Sequence, residues 1–316
     1  MKILGIENLP DNFRLSLNND FRNKIFGLAR EKCGSVGELC KELSCTRSNV
    51  FIMQNGGNKK KRMFIDVHRL KKLSRLSGVA LTEFEKNVVG MKSRKTVLGL
   101  KLPIGSSPNL ASLIAHFMGD GHLNGRHSSY FNQSTELIQD VKDSSNAIFG
   151  IDMSENECKG GYELYFPTGA AKILALVGGV EGSKVSTGME VPGWIINGNV
   201  EIRRRFLQSF FDDEGSVIMN YPRRYIVFNL SKSKELIQNN KRFLGSLKEM
   251  LAEFGIETTK ISDWAENDSG TVEHAFLISK FESISRYAKE IGFKSKEKNK
   301  KLESLIASYK RFKGVK

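Results

Sequence analysis

The last two thirds of this chain contain an internal repeat, which limits the folds that the chain can adopt. From residue 109 onward, one set of short motifs occurs twice in the same order. The paired motifs are Gly-Asp-Gly at 119–121 with Asp-Glu-Gly at 213–215, Tyr-Phe-Asn at 130–132 with Val-Phe-Asn at 227–229, Glu-Leu-Ile-Gln at 136–139 and 235–238, Phe-Gly-Ile at 149–151 and 254–256, and a glycine followed six residues later by a lysine at 178–184 and 292–298. Five ordered matches are too many for chance, so the sequence predicts two copies of one structural unit.

Each copy has the same order of predicted elements. A helix ends at the acidic motif and is followed by a β-hairpin, a helix containing Glu-Leu-Ile-Gln, further strand and a closing helix. In the first copy, Asn124 and Gly125 are a strong hairpin turn pair. In the second copy, strand-like residues 216–220 and 225–229 flank a turn that contains a proline. The pattern predicts an α+β fold with two pseudo-symmetric αββαββα-type half-domains, at 101–195 and 196–316.

Residues 1–100 are basic and are predicted to form a mainly helical domain, separated from the repeat by a stretch rich in proline, glycine and serine at 101–108. Two helices, at 36–43 and 46–55, are predicted on either side of a break at Ser44 and Cys45, with Thr46 as N-cap and Gly56 and Gly57 ending the second helix. This arrangement resembles a helix-turn-helix. A plain helical packing domain stays open as the alternative. The predicted DNA-contacting residues here are Arg47, Ser48, Asn49 and Gln54 for the groove, and Lys59, Lys60, Lys61 and Arg62 for the phosphates.

The charge of the chain indicates a nucleic-acid partner. The formal net charge is +14 and the isoelectric point is about 9.5. Residues 59–75 contain eight basic side chains and one acidic one, and the tail from residue 289 contains ten basic and three acidic side chains. Clustered Lys and Arg release counterions from phosphate backbones and bind them without sequence preference. A merely soluble basic protein is the alternative, but clustering favours a binding surface.

Several classes of protein are disfavoured by what the sequence lacks. There is no run of 18 apolar residues and no apolar N-terminal signal region, so we expect no membrane segment and a cytoplasmic location. The four cysteines form no Cys-x-x-Cys pair and have no histidines at zinc-finger spacing, which favours reduced thiols over a zinc site.

The two acidic motifs carry the predicted chemistry. Ala111, Ala115 and Gly119 are spaced four apart, which leaves one helix face nearly bare and allows close packing against the matching helix of the second copy. Such packing would bring Asp120 and Glu214 together at the helix ends. Paired carboxylates at an electronegative helix end favour a bound cation, and Mg²⁺ (or Mn²⁺) prefers oxygen ligands. Acids that only cap turns are the alternative interpretation.

These motifs resemble the LAGLIDADG motif of homing endonucleases in the two-copy, single-chain form. The resemblance covers roughly residues 101–316 and includes Gly-Ser-Lys at 182–184, Val-Pro-Gly-Trp-Ile at 191–195 and Arg-Phe-Leu at 205–207. It implies saddle-shaped antiparallel sheets that straddle the major groove of double-stranded DNA. It also implies metal-dependent cleavage of both strands, by a protein that acts as a monomer and requires no protein partner.

The resemblance assigns roles to individual residues. Asp120 and Glu214 are implied as catalytic metal-binding acids, with Gly119 and Asp213 beside them in the metal site. Lys184 and Lys298 are implied as the flanking basic residues that activate water or stabilise the phosphate, with Lys296 as a rival for Lys298; phosphate anchors or solvated surface are the alternatives. Further predicted DNA contacts lie on the hairpins, at Asn124, Arg126, Asn132, Arg223, Arg224 and Asn229.

The sequence also departs from the motif. His116 and Met118 replace residues usual in the first motif, while Ser209 and Asp213 occupy close-packing positions of the second helix where Gly and Ala are usual. Asp213 is either tolerated as a ligand or hydrogen-bond acceptor, or a sign of reduced activity. The favoured hypothesis is a site-specific DNA endonuclease. The alternatives are a non-cleaving transcription regulator on the same fold and an intron maturase; the latter is disfavoured because the sequence shows no clustered aromatic platform.

Overall fold

A computed structural model describes residues 1–55, 63–94, 96–125, 127–220, 222–266 and 270–313. The chain divides into two compact units. The first comprises Met1–Gly105, Asn146–Ile151 and Pro167–Ala170, and the second comprises Ser106–Ser145, Asp152–Phe166 and Ala171–Lys316. The domain boundaries at 100/101 and 195/196 stay predictions.

Residues 1–105 are mainly helical but also contain strands that the sequence did not predict. In spatial order, the strands of a four-stranded antiparallel sheet are Ile65–Asp66, Arg14–Leu17, Val88–Ser93 and Thr96–Leu98. A separate pair is formed by Lys2–Leu4 and Ile104–Gly105. These strands have six residues or fewer, which is too short for a clear alternating pattern. The elements are β1 (Lys2–Leu4), β2 (Arg14–Leu17), α1 (Asn19–Cys33), α2 (Val36–Glu42), α3 (Arg47–Asn55), β3 (Ile65–Asp66), α4 (Val67–Ser77), α5 (Leu81–Lys86), β4 (Val88–Ser93), β5 (Thr96–Leu98) and β6 (Ile104–Gly105).

The two helices of the predicted helix-turn-helix are present as α2 and α3. The hydroxyl of Ser35 accepts the backbone N–H of Glu38 at 3.1 Å and so caps α2. The hydroxyl of Thr46 accepts the N–H of Asn49 at 3.3 Å, which confirms the predicted N-cap. The predicted helix end at 56–57 lies outside the described residues.

The chain from residue 106 onward contains the same element order twice. The first series is α6 (Pro108–Met118), β7 (Gly121–His122), β8 (Ser128–Asn132), α7 (Thr135–Phe149), β9 (Glu155–Cys158), β10 (Gly161–Phe166) and α8 (Thr168–Leu176), followed by the short α9 (Gly193–Ile196). The second is α10 (Val200–Glu214), β11 (Gly215–Asn220), β12 (Arg223–Ser233), α11 (Ile237–Glu253), β13 (Ser262–Glu266), β14 (Thr271–Ile278) and α12 (Phe281–Glu290), followed by α13 (Lys296–Lys313). The sheet orders β7-β8-β10-β9 and β11-β12-β14-β13 are identical. The predicted α+β fold with two αββαββα units is confirmed.

The strand register corrects one of the sequence matches. Gly121 pairs with Tyr130 in the first sheet, and the equivalent Gly215 pairs with Phe228 in the second. Tyr130 therefore corresponds to Phe228, and the sequence-level equivalence of 130–132 with 227–229 is wrong by one residue. Because side chains alternate along a strand, this slip places Asn132 and Asn229 on opposite faces of their sheets.

The core of the second copy is largely aromatic. Phe211 contacts Phe228, Phe276 and Tyr287, with ring centroids 4.9 to 6.3 Å apart. Phe210 adds an edge-on contact with Phe243 at 5.4 Å, so α10 is fixed against both its sheet and α11. Within the described residues, no helix combines the length and the apolar composition needed to cross a membrane.

Candidate active site

The site begins with the packing of α6 against α10. The hydroxyls of Ser112 and Ser209 lie 2.9 Å apart across the helix pair and are fully buried. Nearer the motif ends, a Cβ atom placed on Gly119 would lie 2.6 Å from both Cβ and Oδ2 of Asp213. The bare face predicted from Ala111, Ala115 and Gly119 is therefore used for close packing, and glycine is required at 119 because Asp213 fills the facing position.

The helix ends place Asp120 near enough to Glu214 for its charge to raise the pKa of Glu214. Asp120 opens to solvent, yet the surrounding protein desolvates its carboxyl and, with the charge of Asp213, raises its pKa to about 6. Burial, followed by the charges of Asp120 and Asp213, raises the pKa of Glu214 to about 7. The charged forms of both acids are thus disfavoured in the absence of a cation.

Two lysines flank the acids. Lys298 Nζ donates to the carbonyl of Gly215 at 2.7 Å and to that of Asp212, so its charge lies at the C-terminal end of α10. Burial lowers the pKa of both Lys184 and Lys298, although the nearby acids favour their charged forms. Lys296, the rival of Lys298, is 79% exposed and pairs with Glu136 at 2.9 Å. The structure therefore brings Lys184 and Lys298, and not Lys296, close to the acid pair.

Asp213 has partners other than the predicted metal. His116 Nδ1 lies 3.0 Å from Asp213 Oδ2, Tyr130 donates its hydroxyl to Oδ1 at 2.9 Å, and the backbone N–H of Asp120 donates to Oδ2 at 3.2 Å. Both carboxylate oxygens are engaged, and the side chain is inaccessible to solvent. Of the two roles the sequence left open, this geometry favours hydrogen-bond acceptor over metal ligand.

His116 lies between two aspartates. Its Nε2 is 3.2 Å from Asp140 Oδ2, on the side opposite Asp213. Burial alone would lower the pKa of His116, but the charges of Asp213 and Asp140 outweigh burial and raise the pKa to about 10. The side chain is therefore an imidazolium at neutral pH. Because His116 is fully buried, its role in this structure is structural.

Asp140 anchors the far side of this network and was not found from the sequence. Burial would raise the pKa of Asp140, but His116 and Arg205 hold it well below its usual range. Arg205 and Lys294 both form ion pairs with this carboxylate, and Ser112 donates to it at 3.1 Å. Asp140 follows Glu-Leu-Ile-Gln as an ordinary helical acid, so no sequence signal marks it.

Lys232 is a second residue that sequence reasoning missed. It points into the core from β12 and is only 1% exposed. Its Nζ donates to the carbonyl of Thr187 at 3.0 Å and to that of Lys184, and so holds the segment that carries Lys184. Burial lowers the pKa of Lys232 to about 8, with a further contribution from Lys184. A lysine at the end of a strand of alternating apolar residues is expected to be exposed, so the sequence did not predict that Lys232 is buried.

The predicted DNA-contacting residues occupy varied positions. Asn132 Nδ2 donates to Asp120 Oδ2 at 2.8 Å, and so contacts an acid of the site. Asn229 donates to Glu273 at 2.7 Å, and the Arg224 guanidinium stacks on Tyr309 at 4.5 Å. Residues that are exposed are Arg47, Ser48, Asn49, Asn124 and Arg223, while Gln54 is half-buried. Lys59, Lys60, Lys61, Arg62 and Arg126 lie outside the described residues.

A cavity of about 530 Å³ is lined by Asp120 of the acid pair and by Lys298, whereas Glu214 and Lys184 are not part of its wall. Both copies contribute to its wall, and its polar and apolar groups are mixed. Its volume accommodates a phosphate group together with solvent or an ion. The wall includes Asp120, Phe131, Asn132, Ser216, Ile218 and Lys298.

Curated proteins similar to this chain include two with very different names. A tRNA-splicing ligase RtcB of Methanopyrus kandleri is 28% identical over 220 residues, which cover 63% of this chain and 22% of that protein. A glutamine–fructose-6-phosphate aminotransferase of Methanocaldococcus jannaschii is 24% identical over 298 residues, which cover 93% of this chain and 25% of that protein. The chain thus spans a quarter or less of the length of these relatives.

Solved structures and protein families give a second comparison. A structure of a variant of I-DmoI with its target DNA, in the presence of manganese, is 13% identical, covers 60% of this chain and 97% of that chain, and has a TM-score of 0.40. The family of the LAGLIDADG-like domain matches residues 201–292, which run from α10 through α12 and include Glu214. This match agrees with the duplicated motifs and the repeated αββαββα order, and residues 201–292 of the chain therefore form a LAGLIDADG-like domain.

Proposed function

We propose that this chain is a sequence-specific double-strand DNA endonuclease of the homing type, which hydrolyses phosphodiester bonds with a divalent metal ion held between Asp120 and Glu214. The observation that carries the proposal is the pair of carboxyls at the ends of α6 and α10, with pKa values raised to about 6 and about 7. Two lysines flank the pair, which suits a site that must bind an anionic substrate.

The donor set fits Mg²⁺ or Mn²⁺. Burial first, and then the charges of Asp120 and Asp213, raise the pKa of Glu214, and a cation between Asp120 and Glu214 would offset these unfavourable contributions. Among the described residues, no group of three or more His, Cys, Asp or Glu side chains is arranged to hold a metal. Mg²⁺ commonly binds through one or two carboxylates, with water and substrate phosphate completing its shell. When bound, such an ion lowers the pKa of water and neutralises charge on the leaving oxygen.

The protein's own groups would then position the phosphodiester. Lys298 is held by carbonyls at the end of α10, and Lys184 is held through the contacts of Lys232 with its segment. Each ammonium group would pair with phosphate oxygens and stabilise the charge that develops during hydrolysis. Asn132, hydrogen-bonded to Asp120, would hold that carboxylate in one orientation.

The charge and the relatives support a DNA-directed, self-contained unit. The net charge of +14 favours binding to the phosphate backbone. A tRNA-splicing ligase and an aminotransferase have unrelated activities, yet this chain matches a quarter or less of each. Similarity to short parts of two proteins with unrelated names favours a function that is independent of either activity, such as homing-type cleavage.

The proposal is tested by cleavage selection. The purified chain is incubated with a genomic DNA library in Mg²⁺, and the cut ends are sequenced. We expect one recurrent target with breaks in both strands. On that target, Asp120→Asn and Glu214→Gln should abolish cutting and retain binding, whereas Glu249→Gln, an exposed acid of α11, should cut like the wild type. Cutting that survives in both site variants would contradict the assignment of the acids.

A non-cleaving DNA-binding regulator on the same fold is the second candidate. Asp213 favours it, because a third carboxylate stands beside the two acids and is committed to His116 and Tyr130. Tight binding to a native promoter, without cleavage of any selected sequence in Mg²⁺ or Mn²⁺, would support the regulator over the nuclease.

A further inference from the structure

We propose that Asp213 is a positioning residue that fixes the backbone at Asp120. The position of Asp120 then depends on a side chain from the opposite helix, whereas that of Glu214 does not. This inference rests on the proposed cleavage activity. Asp120 and Glu214 belong to different copies of the repeat. We therefore expect a change at Asp213, which displaces Asp120 alone, to slow the cutting of one DNA strand more than that of the other.

The contact that carries the inference joins the two motifs directly. The N–H of Asp120 follows the last turn of α6, and it donates to Asp213 Oδ2 on α10 at 3.2 Å. Gly119, immediately before it, lies so close that an added Cβ would be 2.6 Å from the Asp213 side chain. The peptide that leads into Asp120 is therefore held by a side chain from the opposite helix.

Asp213 is itself held from several sides. His116 engages both of its oxygens, at 3.0 and 3.1 Å, and the Tyr130 hydroxyl donates to Oδ1 at 2.9 Å. His116 is anchored in turn by Asp140 on α7. The Asp213 side chain is inaccessible to solvent and both of its oxygens have hydrogen-bond partners, so its position is fixed from several sides.

Among the described residues, Glu214 has no counterpart of the hydrogen bond between the Asp120 N–H and the Asp213 carboxylate. The residue matched with Asp213 is Gly119, which has no side chain to accept a hydrogen bond from the backbone at Glu214. Glu214 is instead the last residue of α10, and Lys298 Nζ donates to the carbonyl of Gly215 just beyond the end of this helix. The position of Asp120 thus depends on a side-chain contact, whereas that of Glu214 depends on its own helix.

Strand-resolved cleavage tests the inference. Each strand of the selected target is labelled separately, and single-turnover rate constants are measured. We expect Asp213→Ala to change the ratio of the two rate constants about tenfold, since displacements of about 1 Å at a reacting group have effects of this size or larger, while the Kd for DNA stays within about twofold. Asp213→Asn keeps an oxygen acceptor for the Asp120 N–H and should restore much of the ratio.

Ser209→Ala is the matched structural control. It removes a buried hydrogen bond from the same helix pair, away from the motif ends, and should lower stability without changing the strand ratio. An unchanged ratio in Asp213→Ala, or an equal change in Ser209→Ala, would overturn the inference.

Amide hydrogen exchange separates this inference from the proposed function. The Asp120 amide proton should exchange about tenfold faster or more in Asp213→Ala than in the wild type, and nearly as slowly as the wild type in Asp213→Asn. If the wild type cuts no DNA but the Asp120 amide shows these exchange rates, the proposed nuclease activity is wrong and the positioning contact is supported. Unchanged Asp120 exchange in Asp213→Ala would defeat the contact, whatever the cleavage result.

Discussion

His116 Nδ1 lies 3.0 Å from Asp213 Oδ2, and both side chains are completely inaccessible to solvent. The two residues are both departures from the LAGLIDADG motif, one in each copy. A lone charge at either position would be costly in a closely packed helix interface. The imidazolium of His116 compensates the charge of Asp213, and Asp140 provides His116 with a second counter-charge.

The first prediction concerns this compensation. His116→Ala leaves Asp213 buried without its counter-charge and should lower the free energy of unfolding by about 3 to 5 kcal/mol. Asp213→Ala should cost less, about 1 to 3 kcal/mol, because His116 keeps Asp140 as a partner. In urea denaturation, the double variant should lose clearly less than the sum of the single losses. Additive losses would show that the two residues do not act as a pair.

The second prediction is a pH dependence of stability. The pKa of His116 is raised in the folded state to about 10, against 6.5 for an ordinary histidine. The stabilisation from the charged ring is therefore complete below pH 6.5 and is lost as the pH rises through 10. The difference in unfolding free energy between the wild type and His116→Ala/Asp213→Ala should shrink between pH 7 and 10. A difference that stays constant over that range would be inconsistent with a buried imidazolium.

The third prediction concerns the metal-free acids. The pKa of Glu214 is raised to about 7 in the folded state, so its ionised form is disfavoured; this penalty is complete above pH 7 and absent below its ordinary value of 4.5. Glu214→Gln should therefore stabilise the metal-free protein at pH 8 by about 1 to 2 kcal/mol, allowing for partial exposure, and should give no gain near pH 4.5. The exposed-acid variant Glu249→Gln provides the baseline. Destabilisation by Glu214→Gln at pH 8 would argue against the burial and repulsion inferred for this group.

The fourth prediction concerns the close approach of the helices. Gly119→Ala places a methyl group 2.6 Å from Asp213 and should destabilise the protein by about 1 to 3 kcal/mol. Gly245→Ala on α11 is the control, because nothing lies within 4 Å of its added Cβ and alanine favours helix. Thermal unfolding should show a lower Tm for the first variant only, and Asp213→Gly should relieve the loss. Equal Tm values for the two alanine variants would contradict the close packing.

The repeat and the helices next to it could be predicted because their signals are local. Motif order predicts two copies, and capping residues such as Thr46 predict helix starts, since these depend on neighbours in sequence. The register of the second sheet could not be predicted. Phe-Asn occurs in both copies, but the pairing of Gly121 with Tyr130 and of Gly215 with Phe228 is set by tertiary contacts.

The residues that support the acid pair could not be predicted either, because their contacts join positions that are distant in sequence. Asp140 and Lys232 lie far in sequence from the residues they hold, and each reads as an ordinary charged residue of a helix or strand. Asp213 was noticed as a departure from the motif. Its partner His116 could be identified only once the two helices were packed together.

Anomalous diffraction would show whether Asp120 and Glu214 bind one shared cation. Crystals of the chain with its selected target DNA and Mn²⁺ would be measured at a wavelength where manganese scatters anomalously. We expect an anomalous peak within bonding distance of both carboxylates, and we expect this peak to be lost in the double variant Asp120→Asn/Glu214→Gln. Anomalous density that is absent from these two carboxylates while DNA is bound would contradict it.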